Sequence, residues 1–144
     1  MRRPGRESTI RPHTRGGTMG TIVVAFDESE PAGRALERGI DLARRYEDRL
    51  VVTSVRPVVI GAFDGAPGPE LVAAGEKVAA AGVPFTLVEA AGDPGQAIVE
   101  VADGHEAQLI VVGTREPSLV ERVLGMSVSE GVQRRARCDV LIVH

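Results

Sequence analysis

At 144 residues, 43% of them hydrophobic, the chain can bury one core and is short for two, so a single domain is expected. Its one cysteine, Cys138, excludes an intrachain disulfide framework and fits a reducing compartment, the cytoplasm; no apolar run approaches the ~20 residues that cross a bilayer. The net charge of −3 conceals an asymmetry, because residues 1–18 hold Arg2, Arg3, Arg6, Arg11 and Arg15 against Glu7, and removing that +4 leaves the remainder at −7, which argues against a nucleic-acid-binding domain body.

Residues 1–18 alternate Arg with Pro, Gly, Ser and Thr without hydrophobic period, which predicts a disordered basic tail with no signal-peptide core. The domain is expected over 19–144. With aromatics at 3% and no Trp, its core must come from Val, Leu, Ile and Ala. Residues 21–26 form a continuous apolar run, as in a strand buried on both faces of a parallel sheet. Ser29 or Glu30 then caps a helix with Pro31 in its first turn, and Leu36, Ile40 and Ala43 make its inner face.

Residues 50–55 read as a second buried strand, and 56–68, rich in Pro and Gly, as a loop. A helix over 69–81 carries Leu71, Ala74 and Val78 and ends at Gly82. Residues 84–89 alternate apolar and polar, which suits a strand at a sheet edge. Asp93 with Gln96 makes a capping-box-like start to a third helix, whose stripe is Ala97, Ile98 and Val101. Residues 109–112 and 140–143 are the fourth and fifth strands. Between them, Ser127 and Glu130 have capping-box spacing, with Val128, Val132 and Ala136 expected on the inner face.

Strands alternating with helices specify an α/β domain, a doubly wound five-stranded parallel sheet with helices on both faces. The pattern leaves the strand order open. Ligands of such sheets sit beyond the carboxyl ends of the strands, so the strand that runs through LIVV into GTREPSLVERVLGMSVS is the place to look for a site.

That loop, followed by CDVLIV, resembles the signature loop of the universal stress protein family. IVVAFDESEPAGRAL is similar to the family's first strand and helix, and GDPGQAIVEVA to the turn into its third helix. The likeness runs through 19–144 in the family's own order. It implies strand order 3-2-1-4-5, a crevice between strands 1 and 4 with Asp27 beside Gly113, and a role in the stress response as a regulatory or interaction module. It also implies a homodimer by antiparallel pairing of the last strand (Val140, Leu141, Ile142, Val143), whose edge the sequence leaves uncovered.

Nucleotide-binding members of the family carry glycine, two residues, glycine, nine residues, glycine, then Ser or Thr. Here the first glycine is Gly113 and the final hydroxyl is Ser127, but Glu116 and Met126 replace the other glycines, with Gly125 one place early. Glycines there let backbone N–H groups approach phosphate oxygens. A carboxylate ~4 Å from one phosphate charge costs about 4 kcal/mol at an effective dielectric near 20, roughly a thousandfold in affinity. The reading is therefore a module without tight ATP binding. The alternative is an adenine-nucleotide sensor that holds ATP or AMP, with Mg²⁺, through Asp27, Val55, Gly113, Arg115, Ser127 and Ser129.

Bland roles compete at each of these positions. A helix-start acid explains Asp27, and a cap explains Ser127. No catalytic residue is expected: no nucleophile elbow is present, and weak ATPase action would need a base and metal ligands that the sequence does not offer. His13, His105 and His144 are scattered, which argues against a metal site. A response-regulator receiver would need clustered acids after the first strand, an acceptor Asp after the third and a Lys after the fifth. Here the third strand leads to Glu89, and the fifth is followed only by His144.

Overall fold

The computed structural model describes residues 19–56, 64–114 and 127–144. The expected basic tail, and Arg115, Glu116, Gly125 and Met126 of the signature loop, lie outside the described residues. Strand β1 (Thr21–Ala25) leads to helix α1 (Glu30–Tyr46), β2 (Arg49–Arg56) to α2 (Pro69–Ala80), β3 (Phe85–Ala91) to α3 (Pro94–Gly104), and β4 (Leu109–Gly113) is followed by α4 (Val128–Arg135) and β5 (Asp139–Val143).

The five strands form one parallel sheet in the order β3-β2-β1-β4-β5. Burial agrees with this order. β1 has the purest apolar run and lies at the centre, where Val23 and Val24 are fully buried. Alternation divides the core between the faces. Ile22 and Val24 pack with Leu36 of α1 and Leu71 and Val78 of α2, while Val23 packs with Ile98 of α3 and Val132 of α4.

Two expectations are corrected. Val128 does not face inward: it is exposed at the crevice rim, whereas Val132 is fully buried and Ala136 packs beside it as expected, with Ser129 and Gly131 buried as well. The Asp93 carboxylate does accept from Gln96 N–H at 3.0 Å, but the Gln96 side chain donates to Glu100 at 3.0 Å rather than reaching back to close the box. Edge strand β3 holds a surprise, since its most buried residue is Glu89.

At the amino ends of the strands a polar latch closes the sheet. Gly20 N–H donates to Asp48 Oδ1 at 3.0 Å, Thr21 N–H to Gln108 Oε1 at 2.9 Å, and Gln108 Nε2 to Asp48 Oδ2 at 3.1 Å. No helix among the described residues is long and apolar enough to cross a membrane.

Candidate functional site

Adjacent strands whose crossovers pass to opposite faces leave a gap at their carboxyl ends, and here it opens beyond β1 and β4. A cavity of about 180 Å³ occupies it. Its floor runs across the sheet from Thr53 and Val55 of β2, through Ala25, Phe26 and Asp27 at the end of β1, to Val112, Gly113 and Thr114 at the end of β4. The first turns of α1, α3 and α4 form the rim, through Ser29 and Pro31, Pro94, and Ser127 to Ser129 respectively.

Three helix amino ends facing one cavity give it a positive field made of backbone alone, because the first N–H groups of a helix lack intrahelical partners. No Lys or Arg is among the described lining residues. Local caps consume part of the donor supply. Ser29 Oγ accepts from Ala32 N–H at 3.3 Å and Ser127 Oγ from Glu130 N–H at 3.4 Å. The N–H groups of Val128 and Ser129 precede the first intrahelical bond of α4 and belong to the rim.

The chemistry is graded along the floor. At the β4 end, hydroxyls gather: Ser127 Oγ lies 3.0 Å from Ser129 Oγ, and Ser129 Oγ donates to Thr114 Oγ1 at 3.5 Å. Thr114 is fixed in turn by its N–H, which donates to the Val143 carbonyl at 2.9 Å. At the β2 end the wall is apolar, with Val55 and Ile98, because Thr53 spends its hydroxyl on the Val88 carbonyl at 2.9 Å. Between them Asp27 is exposed, and one of its oxygens accepts from Ser29 N–H at 2.8 Å. That bond is the helix-start role proposed for the acid, and the residue also lines the gap.

Gly113 has a packing reason of its own. A Cβ there would collide with the Pro31 carbonyl group and lie 2.8 Å from Ala32 N, so β4 and the first turn of α1 meet only without a side chain.

Asp27, Val55, Gly113, Ser127 and Ser129 thus line one cavity, and Arg115 is outside the described residues. Sequence reasoning missed Thr114, Phe26 and Ile98. Thr114 carried a signal, a hydroxyl directly after the strand-end glycine. Ile98 carried none, because its helical stripe reads as core.

Fold and crevice together define a doubly wound α/β domain with an anion-favouring gap at its switch point. The profile of the Universal stress protein family matches residues 19–144, and the chain belongs to that family. It is similar to a universal stress protein of Thermus aquaticus, 36% identical over 135 residues that cover 86% of this chain and 98% of the relative. A universal stress protein of Methanocaldococcus jannaschii is 30% identical over 138 residues, covering 85% of this chain and 80% of that one. Among solved structures, a universal stress protein in complex with cAMP superposes with a TM-score of 0.71 at 33% identity, covering 87% of this chain and 96% of that chain.

Proposed function

We propose that this chain is a non-enzymatic regulatory module of the stress response, acting in the cytoplasm, whose crevice takes an adenine mononucleotide and does not hold ATP tightly. The observation that carries the reading is the gradient across the cavity floor, from the apolar Val55 wall to the Thr114, Ser127 and Ser129 hydroxyls. A nucleotide has the matching polarity, a flat heterocycle at one end and phosphate oxygens at the other. Asp27, between them, offers a carboxylate oxygen to a ribose hydroxyl or an exocyclic amine. The cAMP complex of the 33% identical protein supports a ligand of this size.

The same inventory limits charge. Helix ends and hydroxyls suit one phosphate, whereas a triphosphate needs cations that the described lining does not supply. In the sequence, Glu116 and Met126 stand where the family's ATP binders have glycine. A cavity of about 180 Å³ is below the ~300–1,000 Å³ typical of pockets that enclose a drug-sized ligand, so a nucleotide here keeps part of its surface in water. Catalysis forms no part of the reading: among the described residues the crevice offers one carboxylate, Asp27, and no group of His, Cys, Asp and Glu is arranged to hold a metal.

Isothermal calorimetry tests the proposal. AMP and cAMP are expected to bind with Kd on the order of 10⁻⁴ M or tighter, and ATP with Mg²⁺ more weakly than 10⁻³ M. Tight ATP binding would overturn the charge argument, and absence of mononucleotide binding would overturn the ligand.

The proposal extends to assembly. Among the described residues β5 pairs only with β4, so its other edge offers unpaired backbone groups along Asp139–Val143. A second copy laid antiparallel satisfies them with a two-fold axis, giving a symmetric homodimer. Any further partner would be a protein rather than nucleic acid, given the −7 charge of the body.

A further inference from the structure

Glu89 is a buried acid that the crevice does not use. Its side chain is 0% exposed, on the α2 face of β3, where an apolar residue would serve the core equally well. One oxygen, Oε1, lies 3.3 Å from Nη2 of Arg56 and accepts from Gly68 N–H at 2.9 Å. The other, Oε2, has no hydrogen-bond partner among the described residues. Burying a carboxylate costs folding energy unless it is paired, and one attested role of a buried pair is to fix one arrangement among several.

What this pair fixes can be read from its neighbours. Gly68 is the N-cap of α2 and brings no side-chain cap of its own, so Glu89 supplies the acceptor and the negative charge at that helix start. Arg56 is the last residue of β2, directly after Val55 of the crevice wall, and its carbonyl accepts from Gly92 N–H at 3.0 Å. On the other side of Val55, Thr53 is held twice, by Phe26 N–H donating to its carbonyl at 2.8 Å and by its own hydroxyl on Val88. Val55 is therefore anchored before and after, and the later anchor is Arg56, held by Gly92 at its carbonyl and by Glu89 at its side chain.

We infer that Arg56 and Glu89 are positioning residues for the crevice: they keep β2 extended through its last residue and so hold the Val55 wall in place. Their effect falls on the end of a ligand that meets Val55, the heterocycle, and not on the phosphate end at Ser127 and Ser129. The ligand half of this inference rests on the nucleotide reading above, whereas the anchoring of β2 does not.

The test compares wild type, an Arg56→Gln/Glu89→Leu double variant, which removes both charges and strands neither, and Arg56→Lys, which keeps the cation. The readouts are calorimetric preference for AMP over ribose 5-phosphate and amide hydrogen exchange at Gly92 and Phe26, with Val24 and Val111 as reference. We expect the double variant to lose the AMP preference about tenfold, and Arg56→Lys to stay within about threefold of wild type. Exchange at Gly92 and Phe26 should quicken about tenfold in the double variant, with the reference amides unchanged. An unchanged AMP preference in the double variant overturns the inference, as does exchange that quickens equally at all four amides. If wild type binds neither compound, the nucleotide reading falls by itself and exchange decides: local quickening at Gly92 and Phe26 upholds the anchoring, and no change refutes it.

Discussion

Gly113 and Pro31 meet backbone to backbone: a single carbon added to Gly113 would collide with the Pro31 carbonyl group. The end of β4 and the start of α1 are thereby locked together at the mouth of the crevice. Gly113→Ala should destabilise the fold by about 1–3 kcal/mol, the usual cost of overpacking a rigid contact. Thermal unfolding should show a Tm lowered by on the order of 5 °C or more. An unchanged Tm would mean that the contact yields freely.

Ser129 is buried and links α4 to Thr114 through its hydroxyl. Because a hydrogen bond to an ionised group is worth roughly 1.5–3 kcal/mol, Ser129→Ala should weaken AMP binding by about tenfold or more. Its effect on chemical denaturation should stay near 1 kcal/mol, since the hydroxyl pair it leaves is weak. Equal losses in binding and stability would assign the residue to packing alone.

Glu116→Gly with Met126→Gly restores the family's glycine spacing in the sequence. ATP affinity should rise by up to roughly a thousandfold, the size of one carboxylate-to-phosphate repulsion. AMP affinity should rise much less. If calorimetry gives wild type and variant the same ATP affinity, the charge account of the loop is wrong.

Cys138 is half-buried, and burial raises its thiol above the ordinary value of 9.0, helped by the nearby Asp103 and Asp139 carboxylates. The folded protein therefore holds this proton longer than the unfolded chain. That contribution to stability is complete below the ordinary thiol value and is lost as pH rises through the folded one. At pH 7.5 iodoacetamide should label native Cys138 at least about tenfold more slowly than a free thiol, with full labelling in denaturant. Rapid labelling of the native protein would contradict this.

The outer edge of β5 predicts a dimer at micromolar concentration by light scattering. A monomer at that concentration would remove the symmetric assembly from the proposal.

The buried strands were legible in the amino-acid order because a parallel strand buried on both faces is mainly apolar, as 22–25 and 50–52 are. Caps were legible at Ser29, Asp93 and Ser127, where a short polar side chain precedes a helical stripe. Likewise the edge position of β3 showed in its mixed polarity. The face of α4 showed in part, at Val132 and Ala136, but the burial of Ser129 and Gly131 did not show, because no hydrophobic period marks them.

By itself, then, the order of residues determined the alternation of strands and helices and the loop where chemistry collects, since both follow from local preference and from which stretches must leave water. Strand order came only with the resemblance and is now observed. Asp27, Val55 and Ser129 were grouped by the resemblance, and the tertiary structure shows them lining a single cavity and adds Phe26, Ile98 and Thr114 to it. It also decided that Glu89 is buried against Arg56. Contacts between residues far apart in the chain depend on which elements pack side by side, and no local pattern encodes that choice.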